Sequence, residues 1–185
     1  QSDRAAAFFA SLGIQKGDRV MLILKRHYEF WFAILGLHKI GAVAIPATNQ
    51  LQVKDLVYRY EAANIKAVVC TSDGDIAEHV ETACEQSGHE LIKIIARQPR
   101  TGWLSFDQGL ETAPAFNRPV GDAAPQNEDL MLLYFTSGTT GMPKMVTHDY
   151  TYPIGHIPTA KYWHKVDPDG LHLTVADTGW GKAVW

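Results

Sequence analysis

Four short apolar runs alternate with stretches of helical periodicity, and this alternation narrows what the chain can become more than any other feature. The runs are RVMLIL at 19–24, AVAIP at 42–46, KAVVC at 66–70 and LIKIIA at 91–96. Each is too short for a stable helix and lacks the apolar–polar alternation of a half-exposed strand, so each reads as a strand covered on both faces. Between them, HYEFWFAILGLHKIG at 27–41 and VKDLVYRYEAAN at 53–64 carry apolar residues at helical spacing, the second with Leu56, Val57 and Tyr60 on one face. DIAEHVETACEQSG at 75–88 does the same, and Gly41 and Gly88 stand where helices stop. Residues 2–12 read as a further amphipathic helix, with Ser2 as N-cap and Gly13 just past its end. The cluster Tyr28, Phe30, Trp31 and Phe32 reads as helix-face core. Strand and helix in regular succession predict an α/β fold, with mostly parallel sheets flanked by helices.

The stretch 97–128 is richer in Pro, Gly and polar residues, with one short helix near SFDQGLET. It reads as a connector between a first α/β lobe at 1–96 and the start of a second lobe at 129–185. The second lobe opens on the strand DLMLLYF. Both ends read as interior positions of a larger protein, so the last dozen residues are expected to be mobile or sheltered by another copy. Seventeen basic and 20 acidic residues, net charge −3, are interspersed rather than blocked. That argues against a nucleic-acid partner, which needs a basic footprint. No apolar run approaches the ~18–20 residues of a membrane span. The two cysteines, Cys70 and Cys84, belong to no CxxC, and Cys70 ends an apolar run as a small buried hydrophobe would. A reducing, cytoplasmic setting follows, without a disulfide framework. The eight histidines never combine with Cys or carboxylates at zinc-ligand spacing, so no metal site is expected.

Residues 136–144 read TSGTTGMPK and interrupt a strand. Glycines let the backbone approach oxygen atoms closely, so that successive N–H groups converge on an anion. The hydroxyls add donors and could complete a Mg²⁺ shell, while Lys144 supplies a point charge for a polyphosphate. A plain hairpin of turn-formers would not need so many hydroxyls with a lysine. The Walker loop fails residue by residue: Pro143 stands where its second glycine belongs, and Met145 follows Lys144. No G-x-G-x-x-G is present either. The loop is therefore a phosphate cradle of another kind, and KMVTH after it can resume as β-structure.

TSGTTGMPK resembles the signature loop of the adenylate-forming superfamily, which contains acyl-CoA synthetases, luciferases and peptide-synthetase adenylation domains. HYEFW at 27–31, LHKIGAVAIPAT at 37–48 and ADTGWGKAVW at 176–185 extend the resemblance along the chain. Met145 departs from most of the superfamily and resembles the medium-chain acyl-CoA synthetases; the ADTGW segment resembles acetyl- and medium-chain members. The resemblance implies the N-terminal part of the large domain of such an enzyme, with ATP, Mg²⁺ and coenzyme A as cofactors or co-substrates. A carboxylate would attack the α-phosphorus of ATP, and coenzyme A would then take the acyl group from the acyl-adenylate. Thr136, Ser137, Gly138, Thr139, Thr140, Gly141 and Lys144 would embrace the β- and γ-phosphates, with Lys144 and Thr136 carrying the catalytic role.

Gln50, in the PATNQ turn, matches a position similar to a coenzyme A contact; a solvated loop amide is the competing role. Asp177, Gly179 and Trp180 would sit near the acyl pocket, with core packing the competing role for Trp180. Asp149 is expected to cap a helix TYPIGHIPTAKYWH, along which the histidines lie, because adenylation of a carboxylate needs no general base. The family's adenine-site, ribose-site and catalytic-lysine motifs do not occur in these residues, so the chain alone is expected to turn over nothing. Partners implied are small molecules, with a homo-oligomer left open. The competing functions are an aryl-CoA ligase, a peptide-synthetase domain and a non-catalytic nucleotide-binding module.

Overall fold

Each apolar run forms a strand, and the periodic stretches between them form helices. The computed structural model describes residues 1–137 and 141–184. Its first part runs α1 (Ser2–Ser11), β1 (Arg19–Ile23), α2 (Glu29–Lys39), β2 (Val43–Pro46), α3 (Val53–Ala63), β3 (Ile65–Thr71), α4 (Ile76–Ser87) and β4 (Ile92–Ala96). Then follow β5 (Leu104–Ser105), α5 (Phe106–Thr112), β6 (Leu130–Thr136), β7 (Lys144–Asp149), α6 (Tyr152–Gly155) and α7 (Gly181–Val184). The described strands form one sheet in the order β5-β4-β3-β1-β2-β6-β7. All neighbours are parallel except β6 and β7, which are antiparallel.

The central strands are apolar throughout because both faces are covered. Along β1, Val20 and Leu22 enter one core layer with Phe9 of α1, Phe30 and Leu37 of α2 and Phe106 of α5. Met21 and Ile23 enter the opposite layer with Leu56 and Tyr60 of α3 and Val80 of α4. Each such buried side chain contributes about 1.5–3 kcal/mol. Helices α1 and α2 approach so closely that a Cβ at Gly36 would lie 2.7 Å from the Ala5 Cβ. Cys70 is buried and its thiol is pushed up to about 12 by that burial; both cysteines are free.

Four expectations change. Ser2 is not the N-cap: α1 starts on it, Gln1 precedes the helix, and the Ser2 hydroxyl accepts from Lys39 Nζ at 2.7 Å instead. The aromatic cluster at 28–32 is split, with Phe30 in the core but Tyr28 60% and Trp31 42% exposed. Successive helical residues turn by about 100°, so four near-consecutive side chains cannot share one face.

The expected connector at 97–128 does not separate two sheets. Its α5 buries Phe106 and Leu110 in the first core layer, and β6 pairs with β2. The Pro- and Gly-rich part carries the chain from the β5 edge across to β6, held by Lys16, which pairs with Asp129 at 2.7 Å and donates to the Ala124 carbonyl. Finally, the helix expected after Asp149 breaks into α6 and a π-type turn at Thr159–Trp163. Pro158 between them lacks the N–H a continuous helix needs. Asp149 accepts from the N–H and hydroxyl of Thr151, which closes a local turn rather than capping a long helix. No helix among the described residues is long and apolar enough to cross a membrane.

Candidate functional site

Strands β6 and β7 are consecutive and antiparallel, so the loop between them leaves the sheet at its β7 edge. Thr136 and Lys144 face each other at the base of the loop, where the Thr136 hydroxyl lies 3.5 Å from the Lys144 carbonyl. Thr136, Ser137 and Lys144 are exposed. Gly141 holds φ at +124°, a conformation that side-chain-bearing residues rarely adopt. The expected phosphate ligands Gly138, Thr139 and Thr140 lie outside the described residues. On the exit side, Tyr58 of α3 donates from its hydroxyl to the Pro143 carbonyl at 2.9 Å.

Beside the loop opens a cleft of about 600 Å³. Thr136, Ser137 and Pro143 form one rim. The cleft is also lined by Arg59 and Phe135, and the Arg59 guanidinium lies 5.0 Å from the centre of the Phe135 ring. His148 and Tyr152 line it too, their rings stacked at 3.7 Å, and behind them Tyr152 meets His156 edge-on at 4.6 Å. Partial burial, then the neighbouring His156, pulls the His148 pKa below its ordinary value. His148 is therefore mostly neutral near pH 7.

The opposite wall is the segment Gly179–Gly181 against the end of β2. Thr178, buried, anchors it by donating to the Lys25 carbonyl. Asp177 shapes the turn by accepting from the Gly179 N–H at 2.9 Å. A Cβ on Gly179 would lie 2.3 Å from the Thr48 nitrogen, so only glycine lets this segment sit where it does. Trp180 is 64% exposed and lines the cleft. The segment is thus seated against the end of β2.

The structure brings Thr136, Ser137, Gly179 and Trp180 to one cleft, with Lys144 and Gly141 on the adjoining loop. Gln50 stays apart: it is exposed, its N–H donates to the Thr48 hydroxyl, and it does not line the cleft. Spacing alone missed Tyr58, Arg59 and Phe135. The available signal was that Arg59 falls on the same helical stripe as Leu56, Tyr60 and Ala63, where a cation has to be explained. Among the described residues, no group of three or more His, Cys, Asp or Glu is placed to hold a metal ion.

Residues 1–181 match the AMP-binding enzyme family. The chain belongs to that family. It is 35% identical to the mitochondrial acyl-coenzyme A synthetase ACSM5 of Rattus norvegicus, over all of this chain and 32% of that protein. It is 32% identical to mitochondrial ACSM3 of Mus musculus, over 93% of this chain and 29% of that one. The chain therefore spans about a third of the length of these AMP-binding relatives. The crystal structure of the Brucella canis acyl-CoA synthetase superposes with a TM-score of 0.82 at 25% identity, covering 99% of this chain and 32% of that one. The anthranilate CoA ligase AuaEII, with a TM-score of 0.74 at 22% identity over 88% of this chain and 30% of that one, shares the fold. The mostly parallel sheet between helices is thus the fold of adenylate-forming enzymes.

Proposed function

We propose that this chain supplies the polyphosphate grip and part of the acyl wall of an AMP-forming acid–thiol ligase. A carboxylate oxygen attacks the α-phosphorus of magnesium ATP; the bond to the bridging oxygen breaks, and pyrophosphate leaves. The thiol of coenzyme A then attacks the acyl carbonyl, the mixed-anhydride C–O bond breaks, and AMP leaves. Magnesium arrives with its nucleotide as part of the substrate. Displacement at phosphorus asks the protein mainly for positioning and neutralisation of charge. The composition of the 136–144 loop suits both requirements. Thr136, Ser137, Gly138, Thr139, Thr140 and Gly141 offer hydroxyls and backbone N–H groups, and Lys144 offers charge.

One observation carries this reading above the alternatives. The two ends of the loop and the apolar face of Trp180 line a single cleft of about 600 Å³, within the size range of small-molecule sites. A polyphosphate on the loop and an aliphatic tail along Trp180 would then be neighbours. We assign the substrate to short- or medium-chain aliphatic acids on the resemblance of Met145 and the ADTGW segment to such enzymes; the relatives are acyl-coenzyme A synthetases. Coenzyme A contact at Gln50 and a cytoplasmic location remain part of the proposal, the second resting on the sparse, unpaired cysteines.

The test is acid-dependent exchange of labelled pyrophosphate into ATP, measured on the full-length protein with straight-chain aliphatic, aromatic and amino acids. Exchange led by a short or medium aliphatic acid is expected. A preference of about tenfold or more for aryl or amino acids, about 1.4 kcal/mol at the transition state, would overturn the substrate assignment.

A further inference from the structure

Arg59 is a cation in the cleft that the loop's chemistry leaves unused. It is 9% exposed, yet among the described residues it forms no ion pair. Among the described residues its guanidinium donates from Nη1 to the Asp55 carbonyl, one turn back on α3, at 2.8 Å. The Asp55 carboxylate is occupied elsewhere, accepting from the Gln52 N–H at the start of the helix. A guanidinium carries more N–H donors than one carbonyl can use, and it stays charged at any ordinary pH. Burial lowers its pKa, the direction expected of a charge that water solvates poorly, and the nearby Asp55 carboxylate opposes this only in part, without forming an ion pair. The Phe135 ring offers partial compensation through its π face. A buried cation with so few partners is suited to an anion delivered from outside.

The position says which anion. Arg59 lines the same cleft as Thr136, Ser137 and Pro143. Phe135, the ring beneath its guanidinium, directly precedes Thr136, and the adjacent Tyr58 holds the loop exit at Pro143. Helix α3 therefore meets the loop at both its entry and its exit. We propose that Arg59 is a second cationic contact for the polyphosphate, gripping the departing pyrophosphate from the α3 side while Thr136, Ser137 and Lys144 hold it from the other.

A planar guanidinium matches two phosphate oxygens at once, which an ammonium cannot do. Chemistry also prefers pyrophosphate over the acid substrate as its ligand. A guanidinium on the attacking carboxylate would withdraw the electron pair the reaction needs, whereas on the leaving group it stabilises charge that builds up. The proposal rests on the reading above that the 136–144 loop binds polyphosphate.

The test uses the full-length protein as wild type, Arg59→Gln, Arg59→Lys and, for the loop itself, Lys144→Ala. Two readouts are taken: KM for pyrophosphate against KM for the acid in the exchange reaction, and the shift of the thermal midpoint on adding magnesium pyrophosphate. Arg59→Gln is expected to raise KM for pyrophosphate about tenfold, on the scale of a lost charge-assisted hydrogen bond, with the KM for the acid unchanged. Its midpoint without ligand should stay near that of wild type, while its ligand-induced shift shrinks.

Arg59→Lys keeps the charge without the fork and should fall between the two. Should Arg59→Gln not fold, the ratio of the two KM values in Arg59→Lys decides in the same sense. An unchanged pyrophosphate KM, or both KM values rising together with a lowered midpoint, would overturn the proposal by making Arg59 a support for Phe135. If Lys144→Ala loses the ligand-induced shift and Arg59→Gln keeps it, the loop reading survives and the Arg59 proposal fails. If wild type shows no shift at all, both fail.

Discussion

Strands β1 and β7 lie in the same sheet and are built by opposite means. In β1 every residue from Val20 to Ile23 is buried, with side chains alternating between two helix-covered layers. In β7 the residues from Lys144 to Thr147 are exposed, and the strand is held by its ladder to β6 and by a few long-range polar ties. Tyr58 reaches Pro143 beside it, and Tyr150, just after it, donates to the His38 carbonyl at 2.9 Å. Farther on, Thr178 reaches Lys25. The parallel part thus draws its stability from buried apolar area, whereas the part carrying the loop is positioned by single contacts. A site built this way can be altered without unfolding its scaffold.

The sharpest way to break this contrast is a truncation in each strand. Leu22→Ala, in the first core layer, should destabilise by about 2–5 kcal/mol, because the covering helices cannot close on the void. Val146→Ala on β7 should stay within about 0.5 kcal/mol, as expected of a surface position. Urea midpoints of the two variants decide it; comparable losses would show that β7 is as much part of the core as β1.

Next in size is Lys144→Ala, whose side chain is exposed. Loss of one charge stabiliser at a phosphoryl centre should lower the exchange rate by about 10²–10³-fold. The thermal midpoint should stay within a degree or two, consistent with the small effect of most surface substitutions. Unchanged exchange would remove the loop from the reaction. Gly179→Ala follows. Its new Cβ meets backbone at Thr48, which cannot swing aside as a side chain would. The substitution should lift the Gly179–Gly181 wall at about 1–3 kcal/mol of local strain. Acid KM should rise more than ATP KM, and equal changes in both would mean that this wall does not face the acyl group.

The same contrast explains what could be read before folding. The strands at 19–24, 42–46, 66–70 and 91–96 were legible because a strand covered on both faces must be apolar throughout, a pattern unlike that of any helix nearby. The loop was legible because holding a polyphosphate selects an unusual composition. Arg59 was legible only in part: it shares a helical stripe with Leu56, Tyr60 and Ala63, but an arginine in a helix is ordinarily a solvated residue, and the Phe135 ring it packs on lies some 75 positions away in sequence. The stretch 151–164 misled in the other direction: its apolar residues have helical spacing, yet Pro158 interrupts it and Tyr162 and Trp163 remain exposed. Periodicity reports a helix face only where something covers that face.

A small effect at neutral pH is also expected from a strong-looking ion pair at the far edge of the well-packed part. Arg100 donates from Nε and Nη2 to the two Glu81 oxygens at 2.9 and 2.6 Å, and the Trp103 indole N–H adds a third donor at 2.6 Å. The Arg100 hydrogen bonds, helped by that of Trp103 and opposed by partial burial, hold the Glu81 carboxyl at about 2 rather than the usual 4.5. Between those values the unfolded chain binds the proton and the folded one does not. The contribution of Glu81 to stability is therefore complete above about pH 4.5, declines as the pH falls through that window, and is gone below about 2. Glu81→Gln should flatten the acid limb of the stability profile in that window. Near pH 7 it should change the stability read from urea unfolding by no more than about 1 kcal/mol, because both partners face solvent and water screens the pair. A loss at neutral pH rivalling that of Leu22→Ala would mean that polar ties hold the parallel part as well, and the division between its two modes of construction would fall.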